Sequence, residues 1–429
     1  MVKSLKISIL SKYSTRYLNM ISKANQKVKC FIMSVLQSDL FAMLNQPRKT
    51  FVANVLCQIL SIKGKLNFLQ LERYGTYCGQ AYRNQYEKKF DFLTFNSLLA
   101  DGVIAGQRAI AFDPSFIPKA GKGTYGKGKF WSGVSSACKW GLEIGGFAVV
   151  DVANNLALHL QAYQTPSSME LKEGNLTLLG HYASLVIKNA MQFKKISQYL
   201  LADAYFSKAP FLEAVLASGM QLISRLRDDS VLYYKYKGSL TRKKGAPKKY
   251  DGRVVAKHLN LTYFSMEQNG PGMQIYSAIV YSKAFKRDIN LAVAVFFKDG
   301  AETKRKLYFS TDLTQTAADI VRYYRSRFQI EFLYRDAKQH AGLNDSQARS
   351  ANKLDFHFNA SLTAVNLAKK DWIETNDDKQ KPFSMADYKT LYNNKLMIYL
   401  FIRKFAINPN TAKNRKRVQE LLEYGKIAA

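Results

Sequence analysis

The stretch DIVRYYRSRFQIEFLYRDAKQHAG, Asp319 to Gly342, decides how the rest of the chain is read. It interleaves aromatic, apolar and charged side chains with no glycine or proline before its end, which predicts one continuous helix. At about 100° of turn per residue, Arg327, Glu331 and Lys338 fall within about 60° of Tyr324, on one narrow stripe with Arg335 at its edge. Apolar residues flank the stripe on both sides: Val321, Phe328 and Phe332 on one, Tyr323, Ile330, Leu333 and Tyr334 on the other. Arg322, Arg325, Gln329 and Asp336 take the remaining arc, expected to face solvent. A glutamate between two apolar shoulders faces protein. A carboxylate placed there has to be ion-paired or metal-bound, because an isolated buried charge is too costly. A purely structural salt bridge to Arg327 or Arg335 is the simpler of these readings.

The surroundings are basic. The 429 residues include 64 Lys and Arg against 32 Asp and Glu, a formal charge of +32, and the bases run along the whole chain. Such a field suits a polyanion, nucleic acid above all. An apolar content of 47% is enough to bury a core, and the length suggests about two to four domain-sized units. The N-terminal MVKSLKISILSKYS has only the short apolar run Ile7 to Leu10, unlike a secretory signal. The longest later run, INLAVAVFF at Ile289 to Phe297, is too short to span a bilayer. A soluble, cytoplasmic protein with no membrane partner is expected. Cys30, Cys57, Cys78 and Cys138 lie far apart with no Cys-x-x-Cys, and the five histidines are scattered, so buried free thiols are expected in place of disulfides or a zinc module.

Helical spacing with interleaved lysines runs to about Lys65 and continues toward Ala100. RAIAFDPSFI then reads as a strand ending at Asp113-Pro114, followed by the glycine- and lysine-rich loop GKGTYGKGKFWSG. LEIGGFAVVD and LALHLQAYQT read as strands, YASLVIKNAMQFKKIS as a helix, YLLADAYFS as a strand, KAPFLEAVLASG as a helix and MQLISRLR as a strand, an α/β pattern. SVLYYKYKGS, LTYFSME, MQIYSAIVYS and INLAVAVFFK then read as strands, and helices return from Thr316. The expected organisation is an α/β unit over 66–227 and 307–370, interrupted by a mostly β insertion at 228–306 and flanked by helical regions 1–65 and 371–429.

The spacing Tyr-x2-Arg-x3-Glu-x6-Lys, met by Tyr324, Arg327, Glu331 and Lys338, resembles the Tyr-Arg-Glu-Lys signature of the DDE transposases of bacterial insertion sequences. STDLTQTAADIVRYYRSRFQIEFLYRDAKQHAGL is similar to that family's last catalytic motif, AFDPSFIPKAGKGTYGKGKFWSG to its first and LLADAYFSK to its second, within roughly Asn67 to Asn366. The resemblance implies an RNase H-like catalytic domain with a β insertion. It also implies that Asp113, Asp203 and Glu331 are both the catalytic residues and the metal ligands. Three carboxylates without a neighbouring His or Cys suit two Mg²⁺ ions, with Mn²⁺ able to substitute, for in-line phosphoryl transfer. Lys338 and Arg327 would grip phosphates beside the scissile bond and Tyr324 would help position one. The implied activity is cut-and-paste transposition on double-stranded DNA, at the terminal inverted repeats and at a target. The implied state is a homodimer at the bacterial nucleoid, with end recognition in region 1–65 and possible dimerisation through 371–429.

Other features compete. Asp151, after FAVV, rivals Asp113, and Asp203 could instead cap the helix beginning near Lys208. Gly121-x4-Gly126-Lys127 imitates a nucleotide-binding loop but lacks the following Ser or Thr, since Gly128 stands there. Lys243, Lys244, Lys248 and Lys249, around Gly-Ala-Pro in the insertion, are candidate DNA contacts. In some members of the family a tryptophan of the insertion stacks on a flipped base. Here Trp131, Trp140 and Trp372 all lie outside it, with Phe296 or Phe297 as substitutes. The alternatives to a transposase are a nuclease or resolvase using the same acids without strand transfer, and a DNA-binding descendant that no longer cuts.

Overall fold

The computed structural model describes residues 26–121, 123–238, 247–375 and 382–427. Its N-terminal part is helical: α1 (26–36), α2 (Gln46–Ser61), α3 (Phe68–Tyr74), α4 (Gly79–Tyr86) and α5 (Phe92–Asp101). Asn45, Asn67 and Asp91 start three of these by accepting a hydrogen bond from the backbone N–H three residues on. The chain then enters a mixed sheet: β1 (Arg108–Pro118), β2 (Gly128–Ser132), β3 (Ala137–Asp151), β4 (Leu156–Gln164), β5 (Tyr199–Leu201) and β6 (Gln221–Arg225). Helices α6 (Ser168–Glu173), α7 (Leu178–Ile196) and α8 (Ala209–Ala217) lie between these strands in sequence. The insertion supplies β7 (Leu232–Lys235), β8 (Tyr250–Arg253), β9 (Ser265–Gly270), β10 (Met273–Ser282), β11 (Arg287–Lys298) and β12 (Ala301–Ser310). Helices close the chain: α9 (Ala317–Ser326), α10 (Gln329–His340), α11 (Ala351–Thr375), α12 (Met385–Phe405) and α13 (Ala412–Glu423).

β1 pairs antiparallel with β3 along its whole length, and β3 with β4, while β5 and β6 run parallel to β1 on its other side. β12 then pairs antiparallel with β6 and leads outward to β11 and β10. The sheet is therefore continuous across the boundary expected at 306/307. On β3, a Cβ at Gly145 would approach Tyr182 of α7, and one at Gly146 would fall 2.1 Å from the Tyr334 hydroxyl of α10. Successive strand residues point to opposite faces, so α7 and α10 cover opposite faces of the sheet.

Helix α11 is buried on every side from Phe356 to Asp371. Its polar residues shield the outer edge of β4. The Asn366 amide pairs with both the N–H (2.7 Å) and the C=O (2.8 Å) of His159, and the Asn359 amide does the same for Ala162. An edge strand that would otherwise offer free backbone groups is thus paired within the chain.

Several local expectations change. β1 continues through Asp113-Pro114 to Pro118; a proline without an N–H is tolerated there because β5 has already ended at Leu201. YLLADAYFS gives only a three-residue strand, since Asp203 turns the chain into a 3-10 turn at Ala204–Phe206. The strand expected at LTYFSME begins only at Ser265. Cys30, Cys78 and Cys138 are exposed free thiols, not buried ones. No described helix is long and apolar enough to cross a membrane.

Candidate active site

Ile110 and Ala111 of β1 lie opposite Leu200 and Leu201 of β5. Asp113 and Asp203 each lie two residues beyond this last pair, near enough for the charge of Asp203 to act on Asp113. Asp113 is held from both sides. Its backbone carbonyl accepts a 2.6 Å hydrogen bond from Tyr334, and its carboxylate accepts one from Arg327 Nη1 at 3.2 Å. The approach of Tyr334 requires a residue without Cβ at Gly146, the strand partner of Asp113. Asp203 is fixed by its own turn: its Oδ1 accepts from the Tyr205 N–H at 2.9 Å, and its carbonyl accepts from Ser224 Oγ. It therefore caps the 3-10 turn, not the helix expected after Lys208.

The stripe read as one straight helix is broken. Residues Arg327 and Phe328 join α9 to α10 through shorter hydrogen bonds, from Arg327 N to Tyr324 O and from Phe328 N to Arg325 O. Neither residue leaves right-handed helical geometry, so the stripe bends without dispersing. One shoulder is altered: Phe328 is exposed and Phe332 half-buried, while Asp336, expected in solvent, is buried and paired with Arg335 at 3.2 Å. Arg335 is thereby committed away from Glu331. Arg327 Nη2 reaches Glu331 at 3.1 Å, so a single guanidinium ties Asp113 to Glu331. The expectation that Glu331 must be paired is met by Arg327.

Electrostatics follow from this packing. Burial pushes the Asp113 carboxyl up to about 7, against the pull of Arg327 and with further push from Asp203, Glu331 and Glu143. Burial opposes the charge on Arg327, but Asp113, Tyr324 and Glu331 outweigh it and the guanidinium's pKa is raised. Lys338 is half-buried and lowered by burial, with Asp113 opposing. Tyr324 is raised by burial; its ring lies 5.7 Å from the Arg327 guanidinium and 4.9 Å from the Tyr308 ring.

A cavity of about 420 Å³ adjoins these residues, lined by Arg225, Lys304, Lys306, Arg325, Arg327, Phe296, Phe328, Tyr308 and Tyr324. The insertion thus contributes Phe296 and two lysines to its wall, and Lys304 and Arg325 lie 5.2 and 5.7 Å from the Phe296 ring. The Nε atoms of Arg225 and Arg327 are both buried without a hydrogen-bond partner. Two orphaned cationic donors on one cavity fit an anion. The insertion also steadies the site from behind, since Glu267 of β9 accepts a 2.7 Å hydrogen bond from Ala317 N at the start of α9.

Glu143 was missed in the sequence. It sits on β3, buried, accepts a hydrogen bond from Tyr182 and raises Asp113; nothing in LEIGG marks it out. Asp151, the rival, is engaged in the turn after β3, where its two oxygens accept from Ala153 N, Asn154 N and Asn154 Nδ2. The Gly121–Lys127 loop leads into strand β2, not a helix. In the insertion, Lys248 pairs with Asp251 at 3.0 Å and Lys249 is exposed, while Lys243 and Lys244 lie outside the described residues.

The acids supply only oxygen donors, the set that magnesium prefers. Among the described residues no three acidic, His or Cys side chains converge into a ready-made ion site. The Arg327 guanidinium bonds to both Asp113 and Glu331. No curated protein matches the chain. Residues 104–367 match the family described as Transposase DDE domain, a span that contains Asp113, Asp203 and Glu331. With well over half of its length matched, the chain belongs to the transposase DDE domain family.

Proposed function

We propose that this transposase carries out cut-and-paste transposition, cleaving DNA at the terminal inverted repeats of an insertion sequence of the Tyr-Arg-Glu-Lys type and joining the freed ends to a target. The observation that carries the reading is that Asp113 and Asp203 each lie two residues beyond the last pair of the parallel strands β1 and β5, with Arg327 tying Asp113 to Glu331. An RNase H-like core is supported by the strand order β4-β3-β1-β5-β6, in which β1, β3 and β4 are antiparallel and β5 and β6 parallel to β1. With the β2 hairpin set aside, Asp203 follows the fourth strand of that core.

In this mechanism Asp113, Asp203 and Glu331 would hold two Mg²⁺ ions, which when bound would activate the attacking water or 3′-hydroxyl and stabilise the leaving oxygen. Arg327 releases the acids and turns its donors to a phosphate, as does Arg225, whose Nε has no partner in the protein. Lys338 sits beside Asp113, where an added phosphate would favour its charged form. Tyr324, braced by Tyr308, orients the same phosphate, and Phe296 replaces the missing tryptophan as the aromatic wall of the strand's path. Lys248 and Lys249 contact the DNA backbone farther out.

End recognition belongs to the N-terminal region. A homodimer pairs the two ends; Met397, Phe401 and Phe405, four residues apart along α12, leave an exposed apolar row suited to a second copy. The site of action is the nucleoid in a bacterial cytoplasm. The test is strand joining: repeat-end duplexes with free 3′-hydroxyls are incubated with supercoiled target and Mg²⁺. Joined products are expected. Cleavage without joining would indicate the nuclease reading, and DNA binding with neither step the silent one.

A further inference from the structure

The β2–β3 hairpin carries two of the three tryptophans, and neither is used by the site above. Trp131 is 58% exposed and Trp140 is 62% exposed, large apolar surfaces for water to cover. They are on one face. Lys129 pairs with Trp140 and Trp131 with Cys138, and in β2 the residues alternating with Lys129 and Trp131 are buried. The two tryptophans are thus diagonal neighbours on that face, their backbones about 7–8 Å apart, with the Lys129 ammonium 5.8 Å from the Trp140 ring. From Pro114 to Leu142 the sequence has five lysines and no acidic residue. The base of the hairpin is anchored, since Tyr125 N donates to Arg349 O at 2.9 Å and Gln164 Nε2 donates to Tyr125 O at 2.7 Å. Trp140 lies six residues along β3 from Gly146, the partner of Asp113, so the face is about 20 Å from the catalytic acids.

We infer that this face binds unpaired DNA, with bases stacking on Trp131 and Trp140 and Lys129 neutralising the phosphates between them. The chemistry selects the occupant. A second copy would bring another strongly positive surface against a face that has no acid to meet it. A duplex shows its phosphates to lysines but keeps its base faces stacked inside, leaving two indoles unused. A single strand offers both groups at once, and base–aromatic stacking needs no particular sequence. The inference rests on the DNA-processing reading and adds to it a second contact, apart from the cavity beside Arg327, for nucleotides unpaired in the flank or in the target.

The test uses the full chain with Trp372→Phe, in which only Trp131 and Trp140 emit. Titration with a short oligo-dT strand is expected to quench this emission. Binding of a dye-labelled oligo-dT strand, read by anisotropy, should weaken about 30-fold or more in Trp131→Ala/Trp140→Ala, while Trp131→Phe/Trp140→Phe restores most of it and duplex binding changes little. Circular dichroism of each variant confirms the fold. Equal oligo-dT affinity in the double alanine variant overturns the inference, as does a loss of self-association in sedimentation with strand affinity unchanged. Cleavage of repeat ends by the parent, measured alongside, reports on the transposase reading separately.

Discussion

At the scale of the residue, Arg327 organises the site. Its two terminal nitrogens bond to carboxylates from different elements, Asp113 on β1 and Glu331 on α10, and its Nε points at no protein acceptor. Lysine has the charge but not the fork, so it cannot span both acids and still offer a donor to phosphate. Arg327→Lys is expected to lower the rate of end cleavage on the order of 100-fold while leaving the melting temperature within a few degrees. Single-turnover nicking assays measure this directly, and a variant that cleaves at the parental rate would remove Arg327 from the mechanism. The pairing of Glu331 was legible at this scale, though its side chain is 39% exposed and bonded to Arg327 at the edge of the fold's interior. Glu143 was not, because a buried acid on a strand of apolar and glycine residues leaves no periodicity of its own.

At the scale of the element, the reading of α9 and α10 as one helix failed for a local reason. Arg327 and Phe328 remain helical in φ and ψ and only the hydrogen-bond spacing tightens, a change that no glycine or proline announces. The strand lengths were misjudged where side chains decide the turn, as Asp203 does by capping Ala204–Phe206. Most sheet strands were legible because β-branched and aromatic runs alternate with helix-period segments. Helix α11 holds a signal that went unread: Asn359 and Asn366, seven residues apart, fall on one side of the helix, and that side meets the edge of β4. Asn366→Leu would strip His159 of partners for both backbone groups. A loss of about 3 kcal/mol is expected from two unsatisfied buried groups, readable in urea unfolding. Unchanged stability would mean that β4 needs no such shield.

At the scale of the whole molecule, charge and topology act together. A chain of +32 attracts DNA everywhere, and the continuous sheet from β4 to β10 sets the insertion's Phe296, Lys304 and Lys306 beside residues of α9. Most strands were legible in order, though β2 and β8 were read as loops; their union into one sheet was not, because pairing of β12 with β6 joins segments far apart in sequence that carry no mark of each other. In the proposed function Asp113, Asp203 and Glu331, and not the charge alone, act on DNA. This is tested most directly by incubating labelled duplex bearing the flanking inverted repeats with Mg²⁺ and either the parent chain or Glu331→Gln. Mg²⁺-dependent nicking at the repeat boundary is expected from the parent, and equal DNA binding without nicking from the variant. Equal nicking by both, or tight binding with cleavage by neither, would contradict it and leave Glu331 as the salt-bridge partner of Arg327.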